Sequence, residues 1–338
     1  MPKHAPVIVI PNLNGGQEII DAINSLLAQS LEPYIIVVDN ASIDDSVKTI
    51  EAKFPHIEII RHDTNKGYAG GVNPGFKRAM QLGASYTAPF NDDAVADKDW
   101  LKKLVDFLDK NDAYAAVCPK VYKSGGKKVL DSTGDYLTVW GLPYPRGRDE
   151  ADTGQYDATK DIFSPSGSAS LYRVSALQQV GLMDEDFFAY YEDVDLGFRL
   201  QLAGYKVGFE PSAIVHHQVG MTSGRMKGFT TYQTMKNVPL LLFKNVPMRH
   251  MPTIVPRFTI AYILFFGRAI QRGHGWYALK GMVVGAYLEL IKLPERWHIQ
   301  KTAVVSDSYI WSMYLHDLPP NAKALRSLRD RWRKTFNK

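Results

Sequence analysis

Short apolar runs alternate with amphipathic stretches over the first hundred residues. Val7–Ile10 (VIVI), Tyr34–Asp39 (YIIVVD), Ile57–Ile60 (IEII) and Ser85–Asp92 (SYTAPFND) have the branched and aromatic composition of strands. Between them, Gln17–Gln29, Ile43–Phe54, Gly71–Leu82 and Asp97–Lys110 each carry an apolar stripe at helical spacing. This repetition predicts an α/β fold: a mostly parallel central sheet with right-handed crossovers and flanking helices, whose ligands sit at the carboxyl ends of the strands. Those ends are polar. PNLNGG follows the first strand, DNASIDD the second, RHDTNKGYAGG the third, and NDD closes the fourth. Any one of them reads as a turn or a helix cap; four in succession point to one crevice.

Further along, Tyr136–Asp161 is rich in Gly, Pro, Tyr and Asp and predicts an irregular loop. The block Ser164–Gly224 carries most of the remaining chemistry, and Gly228–Trp297 reads as helices separated by Pro and Gly. The expected organisation is therefore a catalytic domain over residues 1–224 and a helical extension over 225–338. The longest apolar run, Phe258–Gly267, is far short of the roughly 20 residues that span a bilayer, so no transmembrane helix is expected. The apolar stretch before Pro11 is too short for a secretory signal.

Composition narrows the picture further. In 338 residues, 45% hydrophobic and 22% charged, the one cysteine, Cys118, excludes an internal disulfide framework and a multi-cysteine zinc site. A cytoplasmic location is the default expectation. The net charge of +5 is concentrated in the tail KALRSLRDRWRK, which favours solvent, a membrane surface or another anionic partner; no nucleic-acid motif accompanies it. Aromatic and basic residues interleaved between Phe258 and Trp297 make peripheral attachment to the inner membrane face a candidate, with a helical cap packed on the catalytic domain as the alternative.

Three features carry candidate chemistry. Asn91, Asp92 and Asp93 lie at the end of the fourth strand, where oxygen ligands could hold a hard divalent cation against a diphosphate leaving group. In FFAYYEDVDLGFRLQLAGY, aromatic residues run into Glu192, Asp193 and Asp195 at the start of a short helix ending at Gly204; a carboxylate there, Asp193 first, could accept the proton of an attacking hydroxyl, or the acids could merely complement the helix dipole. PSAIVHHQ predicts a short strand ending in His216 and His217, either of which could complete a metal site.

These residues resemble a glycosyltransferase of family 2 with the GT-A fold, and within it the bacterial rhamnosyltransferase type. The opening turn with Pro11, Asn12 and Asn14, the VVDNAS loop with Asp39, the segment NKGYAGGVNPG with Asn65, Gly67, Gly71 and Asn73, and the Asn91-Asp92-Asp93 motif follow the family's nucleotide-sugar and metal sites. The stretch GSASLYRVSALQQVGLMDEDFFAYYEDVDLGFRLQLAGYKVGFEPSAIVHH is the most specific part of the resemblance. It implies Asp193 as the base, Glu192 beside it, Gly167 against the transferred sugar, and Asp93 with His216 on Mg2+ or Mn2+. Asp39 and Asn12 would contact the nucleoside. Leu13, Pro74 and Asn91 depart from the family pattern. The resemblance implies inverting transfer, L-rhamnose from dTDP-L-rhamnose first and a UDP-sugar as the alternative, to a glycan or lipid-linked saccharide, with the helical extension serving acceptor binding and membrane docking. A non-catalytic nucleotide-sugar or glycan-binding module on the same fold is the competing class; a dinucleotide-dependent dehydrogenase lacks its Gly-x-Gly-x-x-Gly after the first strand.

Overall fold

The computed structural model describes residues 5–126, 128–218, 226–319, 322, 325–327, 329 and 330. Most of the basic tail singled out above lies outside the described residues. The chain divides into two units: one runs to Asp135 and again from Pro145 to Lys227, and the other joins Tyr136–Tyr144 to the chain from Gly228 onward.

In the first unit, β1 (Val7–Asn12), β2 (Tyr34–Asp39), β3 (Glu58–Arg61) and β4 (Tyr86–Pro89) alternate with α1 (Glu18–Leu27), α2 (Ser46–Lys53) and α3 (Gly67–Gln81). After β4 come β5 (Ala94–Ala96), α4 (Trp100–Asp109), β6 (Tyr114–Lys123) and β7 (Leu130–Ser132). β8 (Asp135–Leu137) and β9 (Pro143–Pro145) form a separate two-stranded pair, and β10 (Asp161–Ile162), β11 (Leu171–Arg173), α5 (Val174–Val180), α6 (Glu192–Leu202) and β12 (Lys206–His217) complete the main sheet and its cover. Its order is β10-β12-β6-β11-β4-β1-β2-β3, with β5 on β12 and β7 on β6. β1 pairs in parallel with both β2 and β4, so the strand order reverses between β1 and β4 and a crevice opens at their carboxyl ends. β11 runs antiparallel between β4 and β6.

Alternation along β1 explains the two layers. Ile8 and Ile10 point into a core with Ile19, Ile23 and Leu26 of α1 and Trp100, Leu101 and Leu104 of α4. Val7 and Val9 point the other way, into a core with Val72, Phe76 and Ala79 of α3 and with Leu196 and Leu200 of α6. α3 lies so close to β1 that a Cβ on Gly75 would stand 2.3 Å from Val9 Cγ1. The departure at Pro74 does not break this helix. Pro74 has no N–H for the carbonyl of Gly70, and His62 Nε2 lies 3.2 Å from that oxygen instead.

The expected irregular loop is split. Tyr136–Tyr144 belongs with the helical unit, where Leu315 N–H donates to Leu137 O at 2.8 Å and Val139 N–H to Leu315 O at 3.0 Å. The expected boundary at residue 224 leaves this excursion in the catalytic domain, because β8 and β9, three residues each, are too short to register as a pattern. The helical unit contains α7 (Phe229–Asn245), α8 (Met251–Gln271), α9 (Gly275–Ile291), α10 (Leu293–Thr302) and α11 (Asp307–Met313). The apolar run Phe258–Gly267 is the middle of a helical stretch, Met248–Gln271, which by length and composition alone could cross a membrane, and 22% of whose most apolar part is buried. Pro252, in the first turn where proline costs little, and Pro256, inside the helix, hid its length in the sequence.

Gly75→Ala should lower stability by roughly 1–3 kcal/mol through overpacking against Val9, seen as a lower Tm; an unchanged Tm would mean that α3 retreats from β1 at no cost.

Candidate active site at the strand ends

The loops after β1 and β2 are tied by buried amides. Asn12 is fully buried, its Nδ2 lying 3.2 Å from Asp39 Oδ1, 3.0 Å from Ser42 Oγ and 3.1 Å from Ser46 Oγ, while its Oδ1 accepts from Gly15 N–H at 3.1 Å. Asn12 thus ties the loops after β1 and β2 together at the end of the first strand. Asn14, exposed and left-handed at φ 57°, accepts from the Ile43 N–H at 2.7 Å and donates its own N–H to Ser42 Oγ at 3.0 Å. Asp39 is buried beside them at the end of β2.

Asn40, which the sequence did not single out, organises the third strand end. Its amide donates to Asn65 Oδ1 at 3.0 Å and Gly67 O at 2.9 Å, and its Oδ1 accepts from Lys66 N–H at 2.8 Å. Gly71 leaves room for Pro11: a Cβ there would lie 3.1 Å from Pro11 Cβ. Gly67, at φ 72°, faces the carbonyl of Phe188, which a Cβ would approach to 2.2 Å. That carbonyl accepts from the Tyr68 N–H at 2.5 Å and lies 3.3 Å from the Ala69 nitrogen, occupying the free donors at the head of α3. Phe188, Tyr190 and Tyr191 all have positive φ, so the aromatic run before α6 is a strained loop braced on α3. Asn73 sits inside the same brace, donating to Met183 O at 2.9 Å and Glu185 Oε1 at 2.8 Å. It ties that loop to α3.

The brace delivers Asp193. Its Oδ2 accepts from Gly167 N–H at 2.7 Å and its Oδ1 from Val194 N–H at 2.8 Å, while Tyr68, a second residue missed in the sequence, donates its hydroxyl to Gly167 O at 2.5 Å. A Cβ on Gly167 would stand 3.0 Å from Asp193 Oδ2, so glycine there sets the carboxylate's seat. Burial raises the Asp193 carboxyl above its ordinary 3.8, with the two amide donors acting in opposition. Asp135, buried nearby, is pushed well above the carboxylate range by burial and then by the charge of Asp193. Glu192 is buried in the first turn of α6.

Asn91 N–H donates to Ser168 O at 3.0 Å, which sets the end of β4 against the segment carrying Gly167. Asp92 hydrogen-bonds the Leu13 N–H, and burial followed by the neighbouring charge of Asp93 pushes it up to about 7. Asp93 meets the histidine pair, but not through the residue the resemblance implied. His216 is about half exposed, stacks on Tyr122 and has its Nε2 3.5 Å from Asp97 Oδ1. His217 is the buried one: its Nε2 lies 3.0 Å from Asp93 Oδ1 and its Nδ1 3.0 Å from Asp131 Oδ2. Asp131, not anticipated from sequence, is in turn held by Arg148 Nη2 at 2.6 Å. The correction has a simple cause. Ala213, Val215 and His217 alternate inward on β12, whereas Ile214 and Val215 are both apolar, so the sequence could not fix the parity.

Burial alone would lower the His217 imidazole; Asp131 and Asp93 outweigh it and raise its pKa to about 9. With Nδ1–H given to Asp131, a neutral ring would turn its Nε2 lone pair toward the Asp93 carboxylate, an arrangement that suits a divalent cation with an orienting carboxylate behind the histidine. Asn91 Oδ1 is buried beside them without a hydrogen-bond partner among the described residues. Those residues contain no cluster of three His, Cys, Asp or Glu able to hold a metal unaided.

Comparison with known proteins agrees with this geometry. Residues 7–181 match the sequence family described as Glycosyl transferase family 2. An N-acetylglucosaminyl-diphospho-decaprenol L-rhamnosyltransferase of Mycobacterium tuberculosis is 29% identical over 209 residues, covering 56% of this chain and 68% of its own. The dTDP-rhamnosyl transferase RfbF of Shigella flexneri is 24% identical over 246 residues, covering 69% and 78%. A Poly-beta-1,6-N-acetyl-D-glucosamine synthase of Staphylococcus epidermidis is 26% identical over 216 residues, and the match spans about half of its length. Among solved structures, S. aureus TarS 1-349 aligns over 94% of both chains with a TM-score of 0.54 at 15% identity, and GalNAc-T7 with UDP, GalNAc and Mn2+ aligns over 72% of this chain and 48% of its own with a TM-score of 0.57 at 15% identity. These likenesses place the fold among the GT-A transferases, as the sequence implied.

In metal-free protein the His217 resonance should titrate near 9, and Asp131→Asn should move it down toward 6.5 in an NMR titration. Because the folded pKa is the higher one, this contact stabilises fully below about 6.5 and is lost as pH rises through about 9. A His217 midpoint unaffected by Asp131→Asn would disprove the coupling.

Proposed function

Since the chain belongs to glycosyl transferase family 2, we propose that it transfers a sugar with inversion, L-rhamnose from dTDP-L-rhamnose, to a hydroxyl of a lipid-linked saccharide in cell-surface glycan assembly. The observation that carries the mechanism is the seat of Asp193: a half-buried carboxylate in the first turn of α6, fixed by two backbone N–H groups and raised in pKa, just after a loop braced on α3. Both backbone bonds hold it in one orientation, and its raised pKa brings it closer to the proton it must accept as the acceptor oxygen attacks the anomeric carbon. A single attack from the face opposite the diphosphate inverts that carbon. The names of the mycobacterial and Shigella relatives support rhamnose, and that of the mycobacterial one supports a polyprenyl-linked acceptor. A UDP-sugar donor is the alternative, supported by the UDP complex of TarS. A nucleotide-sugar donor implies a cytoplasmic site of action.

Asp93 and His217 are the residues that would hold Mg2+ or Mn2+, with the diphosphate and water supplying the other ligands. Such an ion would neutralise the charge developing on the nucleoside diphosphate as it leaves. Support comes from the Mn2+ in the GalNAc-T7 structure and from the donor set itself. Asp131 and Arg148 keep the His217 ring in place behind that pair.

Asp193→Asn should cut transfer by on the order of a hundredfold or more while leaving donor affinity within a fewfold; undiminished turnover would refute the assignment. The wild-type rate should fall with acidification through a pKa above the ordinary 3.8. His217→Ala should weaken activation by Mn2+ by at least about tenfold, whereas His216→Ala should change it less than about twofold. Equal effects, or full activity after exhaustive chelation, would overturn the metal assignment. A thermal-shift screen of dTDP-, UDP- and GDP-sugars with product detection identifies the donor; tight binding without turnover across a broad acceptor panel would favour the non-catalytic module.

A further inference from the structure

Beyond its own core, the helical unit exposes a long series of large apolar side chains. From Met248 to Val304, large hydrophobic residues stand exposed in series, including Ile263 at 63%, Trp276 at 72%, Val283 at 61%, Leu290 at 68% and Trp297 at 65%. α9 has two apolar faces. Ala278, Gly281, Gly285 and Leu288 lie on the buried one, where Gly281 and Gly285 let the backbone of α7 approach: a Cβ on either would come within 3 Å of the Tyr232 or Lys236 carbonyl. At 3.6 residues per turn, Trp276, Leu279, Val283, Tyr287 and Leu290 fall on the opposite side, in one stripe facing outward. α8 repeats the arrangement, with Ile254, Phe258, Ala261 and Ala269 inward and Val255, Ile260, Ile263 and Ile270 outward. A helix apolar on two sides is stable in water only if something covers the second side.

The charges identify the cover. Between Met248 and Val304, Arg249, Arg257, Arg268, Arg272, Lys280 and Lys301 are exposed, whereas the acids in that span, Glu289 and Glu295, are only partly so. Pairing this surface with a second copy through a two-fold axis would set cations against cations. Anionic lipid headgroups complement it, and the exposed Trp276, Tyr287 and Trp297 suit the level where acyl chains meet headgroups. We infer that the outward faces of α8, α9 and α10 lie in the interface of an anionic bilayer, without any of these helices crossing it. Crossing would carry Arg257 and Arg268 toward hydrocarbon, each disfavouring insertion by on the order of a hundredfold, whereas an interfacial position leaves both in the headgroups. The other face of α8 stays packed on its own unit, as Tyr262 shows by donating its hydroxyl to Met235 O on α7 at 2.6 Å.

Flotation of the full-length protein with phosphatidylcholine vesicles, with and without phosphatidylglycerol, tests this directly. Binding should be strong with the anionic vesicles at low salt and fall by about tenfold or more at high salt. Val283→Glu with Leu290→Glu should reduce partitioning by at least about tenfold at either salt, and Arg257→Glu with Arg268→Glu by about tenfold on anionic vesicles alone. All four positions are exposed, so circular dichroism and Tm should match wild type, which separates lost docking from lost folding. Absence of wild-type flotation, equal binding to neutral vesicles, or variants that bind like wild type would each overturn the inference. So would a salt-stable dimer in sedimentation that the Val283/Leu290 variant abolishes while neither protein floats.

Discussion

A parallel sheet whose strand order reverses between two neighbours leaves the carboxyl ends of those strands uncovered, and the rest of the catalytic unit follows from that constraint. Between β1 and β4 the crossovers depart in opposite directions, so no helix closes the space above Asn12 and Asn91. Polar groups at such a mouth must satisfy one another or a ligand. Most satisfy one another. Asn12, Asn14 and Asn40 spend their amides on neighbouring loops, and the carbonyl of Phe188 caps α3. The same network seats the candidate carboxylates: Asp92 on the Leu13 N–H, Asp93 against His217, and Asp193 on the N–H groups of Gly167 and Val194.

Burial then divides the acids. In water, carboxylates so close together would all be ionised at neutral pH; in this crevice desolvation raises Asp92, Asp135 and Asp193, and mutual charge adds to it at Asp92 and Asp135. His217 moves the opposite way from what burial demands, because two carboxylates flank it. On the proposed function, a divalent cation between Asp93 and His217 would take the place of the imidazolium proton, and Asp193 on α6 would accept the proton of the attacking hydroxyl. The two tasks are kept on separate elements, β12 with β4 for one and α6 with Gly167 for the other, joined through the hydrogen bond between Asn91 and Ser168.

The sequence exposed those parts of this arrangement whose signal is local. Strand and helix periodicity in the first hundred residues located β1 to β4 and their helices to within a few residues, because β1, β2 and β4 are buried on both faces and their apolar runs are unmistakable. Asp93 and Asp193 were legible because acids after a strand or an aromatic run are unusual. The supporting residues were not. Asn40, Tyr68 and Asp131 act across 25 residues or more, as when Asp131 reaches His217 over 86 positions, and nothing in a short window records such a pairing. The choice between His216 and His217 depended on strand parity, and the adjacent Ile214 and Val215 erased the alternation that would have set it.

The helical unit follows the opposite logic. There Gly281 and Gly285 bring the backbone of α9 against α7, beside a core that also holds Met235, Leu241 and Ile254. Further large apolar side chains stand on the outer face, where a protein surrounded only by water would place polar ones. Such a face suits helices whose outer side meets apolar surroundings. The catalytic unit, with Trp100, Phe76 and Phe90 fully buried, shows the aqueous solution. One chain thus carries two answers to where large side chains belong, and the change from one to the other falls between its two units.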